Sequence, residues 1–169
     1  GAAFAALKDD GSVVVWGSSY SGGNNRSVPD QISSGVSQIF TSKQAFAALK
    51  DDGSVITWGH SSLGGDSSSV TDDLASGVSH VFSTNNAFAA LKNDGSVITW
   101  GNSDYGGDSS SVADQLSSNV SQIFSNYYSF AALKDDGSVI TWGSSFWGGN
   151  SSSVTDDLVS SVSKVFSNN

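Results

Sequence analysis

Paired acids beside a glycine are the first side chains in this sequence that could do chemistry. Asp51-Asp52-Gly53 is one of four such sites. The others are Asp9-Asp10-Gly11, Asn93-Asp94-Gly95 and Asp135-Asp136-Gly137. A calcium ion would need six to eight oxygen ligands there, commonly with a distal bidentate Glu. The chain has no Glu, and Asp-Gly between apolar runs is a strong β-hairpin signal. We therefore predict turns at these four sites.

Two other patterns could hold a metal or a catalytic group. Gly64-Gly65-Asp66 is similar to part of a calcium-binding nonapeptide, but the third glycine and the spacing are missing. The two histidines, His60 and His80, could serve as bases for one of the many serines. A catalytic triad needs a base held by an orienting carboxylate, however, and no residue pattern marks one. We expect no catalytic residue, no metal site and no cofactor, and we expect both histidines to face solvent.

Composition and charge exclude several classes of partner. The chain has 7 Lys and Arg against 16 acids, a net charge of −9. Binding to phosphate backbones depends on clustered Lys and Arg, so we expect no nucleic-acid partner. No apolar run approaches the roughly 20 residues that span a bilayer, and no membrane insertion is expected. There is no Cys, which excludes disulfides and thiolate metal sites.

The elements that position these residues repeat along the chain. Trp16, Trp58, Trp100 and Trp142 stand 42 residues apart, and a phenylalanine repeats with the same period. A fixed period of this size is typical of repeat architectures. We interpret the periodic tryptophans as core residues that fill the gap between neighbouring sheets.

One repeat unit contains three clear strands. The sequence predicts strands at Val78–Ser83 and Ala87–Lys92, a tight turn at residues 93–96, and a third strand at Val97–Gly101. The second strand is almost wholly apolar, which indicates burial on both faces. Residues 112–116 form a weaker apolar segment that is either a short outer strand or a single helical turn.

Stacking of the units explains how these small sheets are buried. A single sheet of three or four strands is marginal in water, whereas copies can stack as a solenoid or as a propeller.

The chain begins at the second strand of one unit and ends after a predicted strand at residues 162–167, so the last strand could pair with the first and remove two open edges. We therefore predict an all-β, four-bladed propeller whose first blade the C-terminal strand closes. The predicted blades are residues 162–169 with 1–35, then 36–77, 78–119 and 120–161. The alternative is half of an eight-bladed ring formed by two chains.

The motif ALKDDGSVITWG at residues 48–59, with near-copies at 6–17, 90–101 and 132–143, resembles the repeat of the regulator of chromosome condensation family. That resemblance covers the whole chain through repetition and implies a propeller of four-stranded blades. The loop after Trp-Gly departs from the family pattern, because it carries Gly-Gly followed by Asp or Asn. The units are also shorter than is usual in that family. Guanine-nucleotide exchange or a chromatin interaction is therefore implied by family analogy alone.

The copies differ mainly in two connections, which we call the variable loops. One connection follows Trp-Gly, at residues 18–21, 60–63, 102–105 and 144–147; the other links the first two strands, at 43–44, 85–86, 127–128 and 168–169. In an antiparallel meander both connections lie at one end, opposite the Asp-Gly turns. Large side chains recur there where exposed loops favour Ser, which indicates recognition. The predicted ligand-binding residues are Tyr20, Leu63, Tyr105, Tyr127, Tyr128, Phe146 and Trp147.

These observations lead to three hypotheses about function. The first is a non-enzymatic binding or adhesion module for a protein or glycan, within a longer extracellular or cell-surface bacterial protein. The second is a structural spacer that folds but recognises nothing. The third is the exchange-factor or chromatin role that the resemblance implies. For all three we expect a monomer, with a strand-exchanged dimer as the alternative.

Overall fold

The computed structural model describes residues 1–24 and 26–168 and consists of short antiparallel sheets. Its strands are β1 (Ala3–Leu7), β2 (Val13–Gly17), β3 (Val36–Thr41), β4 (Ala45–Lys50), β5 (Val55–Gly59), β6 (Val78–Ser83), β7 (Ala87–Lys92), β8 (Val97–Gly101), β9 (Val120–Ser125), β10 (Ser129–Lys134) and β11 (Val139–Gly143). Strands β1 and β2 form the first sheet; β3–β5, β6–β8 and β9–β11 form three more. We call these sheets blades 1 to 4. The predicted all-β propeller architecture is confirmed.

The repeat unit that the sequence predicted agrees with blade 3 residue for residue. Strands β6, β7 and β8 have the predicted bounds, and β7 is buried along almost its whole length. Residues 112–116 form a helical turn and not a strand: they lie in Ser110–Leu116, a 3₁₀ segment that is kinked at Val112, where φ is −128°. Other 3₁₀ segments are Ser19–Ser21, Ser61–Leu63, Ser68–Val70, Ser103–Tyr105, Ser145–Trp147 and Ser152–Leu158.

The Asp-Gly sequences form the predicted turns between the second and third strands. Gly53 has φ +77°, and a Cβ there would lie 2.9 Å from the backbone nitrogen of Gly77. Only glycine meets both conditions without strain. The carboxylate of Asp52 closes the turn by accepting hydrogen bonds from the backbone N–H of Ser54 at 2.9 Å and from its hydroxyl at 2.6 Å.

Neighbouring blades pack through two different faces. The leading face of blade 3 carries Phe88, Ala90 and Trp100, and it packs against the trailing face of blade 2, which carries Ala45 and Leu49 among others. The Phe88 and Trp100 rings stack with centroids 5.3 Å apart. Equivalent clusters join blade 1 to blade 2 and blade 3 to blade 4. The periodic tryptophans of blades 2 to 4 are therefore core residues, as the sequence predicted.

A glycine of the preceding blade receives each of these aromatic faces. The indole Nε1 of Trp100 donates to the carbonyl oxygen of Gly64 at 3.1 Å, and Trp58 and Trp142 make the same bond one blade earlier and later. A Cβ on Gly64 would lie 2.4 Å from the Phe88 ring. The absence of a side chain at Gly64 is thus a condition for the blades to approach.

The two ends of the array do not meet in the described residues. β1 pairs with β2 alone, and residues 161–168 contain no strand, so the predicted strand at 162–167 is not formed within the chain. The equivalent segments β3, β6 and β9 are strands because a second strand of the same blade follows each of them. Residues 162–167 have no such successor. The proposed blade boundaries stay a prediction, and Asn169 lies outside the described residues.

Within the described part of the chain, every helical segment is too short and polar to cross a bilayer.

Substituting one glycine at a blade junction should separate crowding from backbone strain. Gly64→Ala should lower the free energy of unfolding by about 1–3 kcal/mol beyond the cost of its positive φ, because the new methyl group overlaps Phe88. Gly148→Ala is the matched control, since Gly148 has nearly the same φ (+96°) but a Cβ there meets only Ser129 and Asn126, at 3.4 Å and 3.7 Å. Urea denaturation at low protein concentration measures both. Equal losses of unfolding free energy in the two variants would contradict the close contact between Gly64 and the Phe88 ring.

Acid should weaken the fold through the Asp-Gly turns. Hydrogen bonds from Ser12 lower the pKa of Asp10 from 3.8 to about 2, and hydrogen bonds from Ser96 lower the pKa of Asp94. A carboxylate whose pKa is lower in the folded state stabilises the fold above its unfolded pKa and loses that contribution as the pH falls. The midpoint of thermal unfolding should therefore drop between pH 4 and pH 2.

The serine donors give this pH prediction its controls. Ser96→Ala should make the drop between pH 4 and pH 2 smaller, because the Asp94 carboxylate loses the hydroxyl that donates to it at 2.6 Å. Ser62→Ala, in a variable loop, should leave the pH profile unchanged. A Ser96→Ala profile that matches the unsubstituted chain would contradict the assignment.

Candidate functional site

The variable loops of each blade lie together at one end of the array, as the strand order requires. The hydroxyl of Ser42, at the end of β3, donates to the carbonyl oxygen of Leu63 at 2.8 Å. In the next blade Thr84 makes the same bond to Tyr105 at 3.0 Å. We call this end the loop face. Backbone bonds also connect its blades, since the N–H of Lys43 donates to the oxygen of Asn85 and the N–H of Asn85 to the oxygen of Tyr127.

Four of the seven predicted ligand-binding residues form one aromatic cluster on the loop face. The rings of Tyr128 and Trp147 stack, with centroids 5.0 Å apart and an angle of 25°. Tyr105, from blade 3, lies 5.5 Å from Tyr128. Tyr127 stands nearly perpendicular to Tyr128 at 6.2 Å. We call these four residues the aromatic cluster; it bridges blades 3 and 4.

The aromatic cluster borders two hollows. Tyr127, Tyr128 and Trp147 line a cleft of about 380 Å³, with Asn126, Gly148 and Asn168 completing its wall. Tyr127 also lines a more polar hollow of about 350 Å³, formed by the ends of the first strands of blades 2 to 4. Trp147 is 57% exposed and Tyr127 is 47% exposed, so both rings present accessible surface at the cleft.

The other three predicted residues lie outside the aromatic cluster. Tyr20 packs edge-on against the His60 ring and its hydroxyl hydrogen-bonds to Nε2 of that histidine. Leu63 is half-buried, and its carbonyl oxygen accepts the hydrogen bond from the Ser42 hydroxyl. Phe146 is 92% exposed. The link at 168–169 can be described only to Asn168, because Asn169 lies outside the described residues.

Asn126 and Ser129 position the Trp147 loop, and sequence reasoning missed both. The amide Nδ2 of Asn126 donates to the carbonyl oxygen of Trp147 at 2.8 Å, while its Oδ1 accepts from the backbone N–H of Tyr128 at 2.8 Å. The Ser129 hydroxyl donates to the same Trp147 oxygen at 2.6 Å. The signal was present in the repeats: Asn126 replaces the Ser42 and Thr84 of other blades.

Two polar atoms near the loop face are buried without a hydrogen-bond partner in the described residues. They are Nδ1 of His60 and Oδ1 of Asn86. Buried polar atoms are usually paired with protein or water, and these two are enclosed by the surrounding residues. The prediction that His60 and His80 face solvent needs correction, because both are half-buried. His80 packs between Phe40 and Phe82, with centroids at 5.0 Å and 4.7 Å.

Charge is concentrated away from the loop face. Lys43 and Asp104 are the only formally charged residues in the variable loops. Four of the acids whose pKa is lowered, including Asp52, belong to the Asp-Gly turns at the opposite end of the strands. Asp66 and Asp108, whose pKa is also lowered, lie beyond the Gly-Gly pair that follows a variable loop. No group of three or more His and Asp side chains in the described residues could hold a metal ion. The loop face can therefore offer aromatic surface and hydrogen bonds, with little charge.

Comparison with known proteins rests on solved structures alone. No protein-family model matches the chain, and no curated protein matches it. Human WBSCR16 superposes with a TM-score of 0.57 at 24% identity, over 84% of this chain and 45% of that one. Yeast RCC1 (Prp20), in a crystal structure with Kap60, superposes with a TM-score of 0.53 at 19% identity, over 83% and 40%.

A second yeast structure leads to the same fold. Prp20p from Saccharomyces cerevisiae, described with its binding to Gsp1p and histones, has a TM-score of 0.51 at 18% identity, over 83% of this chain and 41% of that one. The chain thus spans less than half the length of the proteins that it matches. Likenesses at this identity establish the fold. The chain has a β-propeller repeat fold similar to that of yeast RCC1 (Prp20) and human WBSCR16.

Proposed function

We propose that this chain is a non-enzymatic binding module that recognises a glycan or an apolar protein segment on its loop face. The observation that carries the proposal is the aromatic cluster, which four residues from two blades build beside an open cleft. Flat aromatic faces suit sugar rings and apolar side chains, and they lose little rotamer entropy on binding.

The way in which the loop is held supports recognition over drift. Asn126 and Ser129 both bond to the carbonyl oxygen of Trp147, so this loop is fixed by two polar side chains where blades 2 and 3 use one, Ser42 or Thr84. A preorganised loop loses less entropy when it binds. An exposed loop under no constraint would not need the second bond.

The charge distribution narrows the ligand. A loop face with one Lys and one Asp gives little attraction to a polyanion, and the net charge of −9 repels one. An uncharged glycan or an apolar peptide is compatible with both facts. An extracellular or cell-surface location fits a module of this kind and belongs to the proposal.

Protein recognition has separate support from the structural neighbours. The yeast RCC1 structures are described with Kap60, Gsp1p and histones, which are proteins. Nucleotide exchange by this chain rests on that analogy alone. A structural spacer is the remaining alternative. In glycan or protein array screens, a spacer would give no hit whose binding is lost when the aromatic cluster is substituted.

Substitution in the aromatic cluster should reduce binding and leave the fold intact. Against a ligand found by array screening, Trp147→Ala should weaken affinity by about 1–3 kcal/mol, as truncated interface aromatics do. The free energy of unfolding should change little, because Trp147 is 57% exposed. Isothermal titration and urea denaturation measure the two effects.

Two controls make this test specific. Phe146→Ala removes the neighbouring ring, which is 92% exposed and stacks on none of the four cluster rings, and its effect on affinity should be smaller. Altering Asp52 and Gly53 should damage the fold and leave ligand contacts alone. If Trp147→Ala unfolds the chain, the ring is a core residue and the proposal loses its central observation.

Asn126 should act on binding through the loop that it holds. Asn126→Ala removes the bonds to the Trp147 oxygen and to the N–H of Tyr128, so affinity should fall because the Trp147 loop is no longer held in place. Asn126→Thr, which restores the type of residue found at Thr84, should recover part of the affinity through its hydroxyl. Identical affinities for both variants would show that the side chain does not position the loop.

A further inference from the structure

The two ends of the array expose faces that are buried at every junction inside it. On the leading face of blade 1, Phe4 is 62% exposed and Trp16 is 50% exposed. Their counterparts in blade 2, Phe46 and Trp58, are 6% and 1% exposed. The Phe4 and Trp16 rings nevertheless stack at 5.3 Å and 19°, much as at the internal junctions. The leading face of blade 1 is therefore formed and uncovered.

The other end of the array offers the matching receptor. Gly22, Gly64 and Gly106 each face a phenylalanine of the next blade, with 2.4–2.8 Å between the ring and a notional Cβ. Gly148 occupies the same position in blade 4, yet a Cβ there would meet only two side chains of its own blade, none nearer than 3.4 Å. A phenylalanine and a tryptophan on a following blade would complete this junction.

The C-terminal segment already lies where the first strand of a following blade would lie. The N–H of Val162 donates to the oxygen of Gly137 at 2.9 Å, as Val120 does to Gly95 one blade earlier. The hydroxyl of Ser167 donates to the oxygen of Ser125 at 2.7 Å, the bond that Ser83 makes in blade 3. Phe166 is 87% exposed, because this segment has no second strand beside it.

We propose that a second copy of this chain docks at each open end, so that two chains close head to tail into one ring of eight blades. Residues 162–167 of one copy supply the first strand, and β1 and β2 of the other supply the second and third. The existing β3–β4 register, shifted by whole repeats, places Val165 opposite Ala6 and Ser167 opposite Phe4. The indole Nε1 of Trp16 in one copy then donates to the carbonyl oxygen of Gly148 in the other copy.

Two copies satisfy both ends without leaving an edge. Ring propellers have about four to eight blades, and two chains of four blades reach eight, whereas three chains would exceed that range. Head-to-tail contacts that fail to close would give filaments. A ring within one chain would require blade 4 to cover Phe4 and Trp16, and both are exposed. The assembly and the loop face share part of one wall, because Gly148 and Asn168 also line the cleft beside the aromatic cluster. Solution mass tests the assembly and ligand affinity tests the loop face, so either proposal can fail without the other.

Solution mass tests the assembly directly. Light scattering on the full chain at micromolar concentration should give about twice the chain mass of 17.3 kDa. Phe4→Asp should give the single-chain mass with an unchanged circular dichroism spectrum, because Phe4 is exposed within one copy. Gly148→Ala should do the same by blocking the receptor. Tyr20→Asp, another exposed aromatic of blade 1, is the control and should remain a dimer.

Cross-linking separates a two-chain ring from a closed single chain. The sequence has no Cys, so a chain carrying Ala5→Cys and Phe166→Cys has one thiol on each of two strands that the proposed register places opposite each other. A short bismaleimide should then produce a covalent species of twice the chain mass on a denaturing gel. Cross-linking without a mass increase, a single-chain mass for the unsubstituted protein, or a species larger than a dimer would each overturn the proposal.

Discussion

The junction between blades depends on a glycine that makes room for an aromatic pair. Each stacked Phe and Trp can approach the preceding blade only because residues such as Gly64 lack a Cβ, and the indole N–H then satisfies the glycine carbonyl. Apolar contact and a buried hydrogen bond are thereby made in the same place. A sheet of three strands has little stability alone, so the fold depends on repeating this junction.

The periodic features of the fold could be predicted from the sequence. Strands β6, β7 and β8 follow from β-branched and apolar runs around an Asp-Gly turn, and four copies make that pattern unambiguous. Residues 112–116 could not be assigned, because five residues with two apolar ends suit a strand and a helical turn equally well. Their 3₁₀ form is decided by packing of Leu116, which is 1% exposed, against blade 4.

The end of the chain and the aromatic cluster show where sequence reasoning has less reach. A strand pattern at residues 162–167 predicts the tendency to form a strand, but ladder bonds require a partner, and this chain places none beside it. The aromatic loop residues were identifiable from variation among copies. Which of them touch was not: Tyr105, Tyr127, Tyr128 and Trp147 meet, while Phe146 does not, because side-chain direction within a loop is set by contacts such as those of Asn126.

The backbone bonds that join the links of neighbouring blades have a consequence for evolution. The N–H of Lys43 bonds to the oxygen of Asn85, and the N–H of Asn85 bonds to the oxygen of Tyr127. Main-chain atoms make these bonds, so Lys, Asn and Tyr serve equally well. Mutations at these positions keep the bonds between the links, so selection can change the side chains of one blade at a time.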